Sequence, residues 1–167
     1  MHIDWEQLSK ALDCESSGGT KHARRALSQI LGDDAIQQAV ECYIAERPGS
    51  ELARSVLWLI HPRFGMEYCY QVFKKDTDID RRRNAVELLR VVADESAFKW
   101  VPEFLEDPDE LIQAWGAGVV DQLLWSKFID AEDCQEVLTR MKNHANIHVR
   151  ERFEFITEFL SHRRASS

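Results

Sequence analysis

Apolar positions recur along the chain at helical spacing, and the recurrence itself repeats. Arg24, Arg54, Arg82, Gln113 and Arg150 stand 30, 28, 31 and 37 residues apart. Three residues beyond these anchors come Leu27, Leu57, Ala85, Gly116 and Phe153; six beyond come Ile30, Ile60, Leu88, Val119 and Ile156. A small or apolar residue at +3 and an apolar one at +6 lie on one face of a helix. The return of that face at near-constant intervals predicts stacked helix pairs, each resting on its neighbours. Leu57, Ile60, Leu88, Val119 and Ile156 are the expected core, and Trp58 and Trp115 fall into the same pattern.

A second helix is expected between successive anchors. His61-Pro62 ends one helix, and the next, Pro62 to Lys75, carries Phe64, Cys69, Val72 and Phe73 along one side. Asp94 is placed to cap a helix covering Ala97, Phe98, Val101 and Leu105. Asp107-Pro108-Asp109-Glu110 reads as cap, first-turn proline and acidic first turn. Asp130-x-x-Asp133 opens a helix through Val137, Leu138 and Met141, and the last helix runs from about Asn146 to His162. Gly32, Pro48-Gly49, Asp76 to Asp80 and Asn143 to Asn146 supply the remaining breaks. A short helix, Asp4 to Asp13, precedes a flexible Ser16-Ser17-Gly18-Gly19 link, so residues 1–19 lead into repeats over 20–163 and a tail at 164–167, all in one domain. No stretch alternates with the period of a strand.

The stretch from Phe98 to Leu124, with its apolar second helix, Asp107-Pro108-Asp109 turn and following helix rich in small residues, resembles a HEAT repeat junction. Asp76 to Leu89 resembles another. Gln113 departs from the basic residue usual at its position, and Trp125 to Asp130 lengthens one unit. The resemblance covers about Ser50 to Leu124 best. It implies an all-α, right-handed α-solenoid of four to five helix pairs. Fold alone implies little about function.

Charge narrows the partners. The 167 residues carry a formal net charge of −8, which opposes a general nucleic-acid footprint and suits a basic protein partner. The first residues lack a basic and apolar leader, and no apolar run is long enough to span a bilayer, so a cytoplasmic protein is expected. Cys14, Cys42, Cys69 and Cys134 form no CxxC pair and read as reduced, mostly buried thiols.

Candidate chemistry is sparse. His144 and His148 are four apart, but a zinc site needs three or four ligands and no HExxH accompanies them. The acidic positions Glu103, Glu106, Asp107, Asp109, Glu110, Asp130, Glu132, Asp133 and Glu136 read as helix caps and solvated faces before general acids. Arg81-Arg82-Arg83, with Arg24-Arg25 and Arg163-Arg164, could meet phosphate; pairing with Asp78, Asp80 and Asp109 of neighbouring turns is the simpler expectation. No catalytic residue, cofactor or metal is assigned.

The expected function is therefore protein binding by a partly acidic concave wall made of the second helices. Its contact residues are expected to be Glu67, Gln71, Lys99, Trp100, Glu103, Phe104, Glu106, Glu132, Glu136 and Arg140, with Trp100 and Phe104 as apolar anchors. Small acidic binders of this kind resemble immunity proteins that neutralise toxins, some of them HEAT-like, which implies a basic toxin or nuclease as partner. The competing readings are a HEAT-like enzyme, such as a DNA glycosylase acting on alkylated bases or a bilin lyase, and an adaptor subunit of a larger complex.

Overall fold

The computed structural model describes residues 3–12 and 19–165, with side chains through His162. Asp13, Cys14, Ser16 to Gly18 and the side chains of Arg163 and Arg164 lie outside that description. The described residues form nine α-helices and one 3-10 segment, with no strand among them. The helices are α1 (Trp5–Ala11), α2 (Thr20–Ile44), α3 (Ser50–Ile60), α4 (Arg63–Lys75), α5 (Ile79–Val92), α6 (Val101–Leu105), α7 (Glu110–Trp125), α8 (Gln135–Lys142) and α9 (Ile147–Ala165). The 3-10 segment, Glu95–Trp100, precedes α6.

Two successions of neighbours run through the molecule. In one, α3 meets α5, α5 packs on α7 and α7 on α9. In the other, α2 packs on α4, α4 meets the 3-10 segment, and α6 meets α8. The successions are joined pairwise, α2 with α3, α4 with α5, α6 with α7 and α8 with α9. One apolar core extends between them from Ile36 to Ile156. Leu57, Ile60, Leu88, Val119 and Ile156 are all buried in it, as their spacing predicts.

The junctions carry a doubled polar turn. Asp76 accepts the backbone N–H of Asp78 at 3.0 Å, Asp107 that of Asp109 at 3.0 Å, and His144 Nδ1 that of Asn146 at 3.1 Å. Asp78, Asp109 and Asn146 each then accept an N–H from the first turn of the following helix. These short side chains satisfy donors that a helix start leaves open. The first residue of each turn lies six before an anchor. Gln113 Nε2 donates to the Asp107 carbonyl at 2.7 Å, and Arg150 donates to the carbonyl of His144.

Close approach fixes α7 against α6. A Cβ on Gly116 would lie 2.5 Å from Phe104 Cβ, so only glycine admits this contact without displacement. Gly32 has φ 76° and breaks α2 into two helical halves, as its place in the pattern suggests.

Four expectations need correction. The Asp94 element is a 3-10 turn followed by α6 rather than one helix; Pro102 has no N–H to continue an α-helical ladder back to Phe98. Asp109 rather than Asp107 caps α7, and Pro108 lies outside the helix, because Asp107 is engaged by Arg82 from the preceding unit. Asp130 to Cys134 is a turn, and α8 starts only at Gln135. Trp58 is 54% exposed, and Leu27 is exposed as well: the apolar run Val56 to Ile60 holds more apolar side chains than one helix face can bury.

Candidate partner-binding strip

The ten expected contact residues fall on consecutive elements of the α2–α4–α6–α8 succession. Glu67 and Gln71 are on α4, Lys99 and Trp100 end the 3-10 segment, and Glu103 and Phe104 are on α6. Glu106 follows α6, Glu132 lies in the turn before α8, and Glu136 and Arg140 are on α8.

Polar members of this set are cross-linked between elements. Glu103 accepts from Tyr70 Oη and from Lys74 Nζ, each at 2.6 Å, tying α6 to α4. Arg140 bridges Glu106 at 3.1 Å and Glu136 at 2.7 Å, tying α8 to the end of α6. Glu67 pairs with Arg63 at 2.9 Å. The Lys74 ammonium, helped by the Tyr70 hydroxyl, holds the Glu103 carboxyl below its usual range. Burial, reinforced by Glu103, pushes the Tyr70 hydroxyl up to about 12, so it stays a donor. The wall is thus a mixed ionic strip: Lys74, Arg63 and Arg140 offset much of its negative charge. Gln71, Glu132 and Glu136 remain exposed.

Trp100 and Phe104, expected as exposed anchors, are buried instead. Trp100 is 6% exposed and stacks on Tyr70 with ring centroids 4.5 Å apart. Phe104 is fully buried, edge-on to Phe73 at 4.8 Å. Their i, i+4 spacing marks one face, and here that face turns to the core. Lys99 lies 4.7 Å above the Trp100 ring and covers its remaining edge.

None of the ten expected contact residues lies on α3, yet α3 carries exposed apolar side chains. Leu52 is 71% exposed, and Val56, Trp58 and Leu59 are also exposed. An uncovered apolar group of this kind is a feature of interaction surfaces. The five-residue apolar run Val56 to Ile60 carried the signal.

The Arg81–Arg83 run and the two histidines are engaged within the fold. Arg81 bonds Asp76 at 2.8 Å and Glu41 at 2.9 Å. Arg82 pairs with the buried Asp107 and donates to the Phe73 carbonyl at 2.9 Å. Arg83 reaches Asp109 at 2.7 Å and Asp80 at 3.0 Å. Asp78 spends its carboxylate on the α5 N-terminus instead. His144 uses both ring nitrogens on backbone, Nε2 on the Leu105 carbonyl at 2.8 Å, while His148 is turned to Glu151. The two histidines therefore do not converge. Among the described residues, no three His, Cys, Asp or Glu side chains are grouped to hold a metal. Burial pushes the Cys134 thiol up to about 11 and the Cys69 thiol higher still, so neither is an activated nucleophile. No described helix is long and apolar enough to cross a membrane. Comparison with protein-family models, curated proteins and solved structures finds no match for this chain.

Proposed function

We propose that the chain is a HEAT-like, right-handed α-solenoid that binds a protein partner and has no catalytic activity of its own. The two parallel successions of helices, joined pairwise and punctuated by the same polar turn, support the solenoid reading. The observation that carries the binding reading is the ionic strip itself. It spans α4, α6 and α8, is held in place by cross-links between those elements, and leaves Gln71, Glu132 and Glu136 exposed to a partner. Ordered side chains lose less entropy on binding than mobile ones. The remaining negative charge selects a basic surface, such as that of a cationic toxin or nuclease, and raises the association rate at low salt.

Affinity capture from the source cells tests this reading. The wild-type chain should retain a stoichiometric basic protein that is released by salt. Glu132→Lys combined with Glu136→Lys should lose it while remaining folded. Equal capture by the variant would remove the strip from the binding site. Recovery of nucleic acid in place of protein would favour the HEAT-like enzyme instead.

A further inference from the structure

A cleft of about 1130 Å³ opens where the first half of α2 meets the starts of α4 and the 3-10 segment. Its apolar lining includes Ile36, Ile60, Phe64 and Phe128, and Lys21, Arg24 and Arg25 project from α2 at the same cleft. That combination differs from the surface around it in four ways.

The first is charge without partners. No carboxylate lies within ion-pair distance of Lys21, Arg24 or Arg25 among the described residues, in a chain whose net charge is −8. Three carboxylates also line the cleft, Asp33, Asp94 and Glu95, and Asp94 is already engaged by the backbone N–H of Ser96 at 2.9 Å. Second, Arg24 Nε is buried and has no hydrogen-bond partner among the described residues. A buried guanidinium N–H without an acceptor is costly and marks a place where an acceptor belongs. Third, α4 begins at the cleft wall with Pro62 as its N-cap and no side-chain cap. The open N–H groups and the dipole of that helix start favour negative charge. Fourth, His61 on the wall lies edge-on to Phe128 at 5.7 Å. Burial, and then the Arg24 charge, hold its imidazole below the ordinary range despite Asp94. His61 therefore adds an aromatic wall at neutral pH rather than another cation.

We propose that this cleft binds a small amphipathic oxyanion, a carboxylate or phosphate monoester on an apolar chain or ring. Arg24 takes the head group, and Ile36, Ile60, Phe64 and Phe128 enclose the apolar part. Pockets that combine an apolar lining with a few convergent polar groups are the usual form of small-ligand sites. The proposal does not depend on the protein-binding strip, which lies on other residues.

Calorimetric titration of the full chain with decyl phosphate and decanoate is the test. Saturable one-to-one binding of at least one is expected, and the tighter of the two identifies the head group. Decanol and inorganic phosphate should each bind at least about tenfold more weakly, since each lacks half of the recognised chemistry. Shortening the alkyl chain by two methylenes should cost roughly tenfold in affinity. Arg24→Gln should weaken binding about tenfold or more, while Arg47→Gln, an equal charge change elsewhere, should leave it unchanged. The proposal is overturned if neither ion binds saturably, if decanol binds as well as the ions, or if Arg24→Gln binds like the wild type. Should Arg24→Gln fail to fold, the head-group and chain-length series on the wild-type protein still decide the matter.

Discussion

Two clusters of cationic side chains, one on α5 and one on the first half of α2, have opposite environments. Arg81, Arg82 and Arg83 are each locked onto carboxylates of the same or the next junction. Lys21, Arg24 and Arg25 have no such partners among the described residues and line a cleft. In sequence the two look alike, short basic runs at the start of a repeated helix. The difference is made by what precedes and follows each in space. The α5 cluster sits between two junctions, each supplying a pair of aspartates. No such doubled aspartate turn flanks the α2 cluster among the described residues. A charge that is paired across units fastens the units together; a charge without such a partner is available to something else.

The sharpest way to break this comparison is Arg82→Ala. Asp107 is only 7% exposed and would lose its cationic partner. Destabilisation of roughly 3 kcal/mol is expected, the low end for a buried pair that loses one member. Asp107→Leu added to Arg82→Met should recover much of the loss, because an apolar pair replaces two desolvated charges. Urea unfolding of the set measures both effects. A loss below about 0.5 kcal/mol for Arg82→Ala, the size of an ordinary surface change, would mean that the rung fastens nothing.

The anchor spacing made the succession of helices legible, and with it the five central core positions. Less legible was the polar turn six and four residues before the last three anchors, where Asp-x-Asp occurs twice and His144-x-Asn146 once. The substitution hides the equivalence, since a histidine and an asparagine do the work of two aspartates. Gln113 reads in sequence as a departure from the repeat. In space the change is matched: its amide meets Asn146 Nδ2 at 2.9 Å, so one rung has become neutral on both sides. The strip was legible as a set of residues on consecutive elements but not in its exposure. Trp100 and Phe104 have the spacing of a surface pair, and only the packing of α4 against α6 and the 3-10 segment decides that they face inward.

That neutral rung gives the second test. Gln113→Arg alone would place a guanidinium beside Asn146 and His144 with no carboxylate to meet it, and a loss of about 1–2 kcal/mol is expected. Adding His144→Asp rebuilds the arrangement of Arg82 with Asp107. A double-mutant cycle should then show favourable coupling of about 1 kcal/mol. Additive effects would show that the third junction is not equivalent to the second.

Acid should act on one cluster and spare the other. Hydrogen bonding from Arg83 holds the Asp109 carboxyl below its ordinary value of 3.8, and Arg81 does the same for Asp76. Depressed carboxylates contribute stability that is fully present above the unfolded-state value and is lost as pH falls through the folded one. Stability should therefore fall below about pH 4 as protons displace the guanidinium contacts. Asp109→Asn keeps a capping side chain on α7 but removes the titrating group. Its stability should depend less steeply on pH in that range. An identical pH profile for the variant and the wild type would show that the Arg83 contact contributes nothing in solution.

The smallest expected effect is the most discriminating. Arg24→Gln removes a charge that has no ion-pair partner, and an Nε that has no acceptor, among the described residues. It also relieves like-charge contact with Lys21, three residues before it on the same helix. Stability should therefore hold or rise by a few tenths of a kcal/mol, in contrast to the large loss at Arg82. Added salt should narrow the gap, because screening relieves the same repulsion in the wild type. A side chain retained at a net cost to the free protein is what a binding site predicts, since such sites are commonly less stable than the same positions optimised for folding alone. A loss above about 1 kcal/mol for Arg24→Gln would place that guanidinium among the structural charges, and the contrast between the two clusters would be gone.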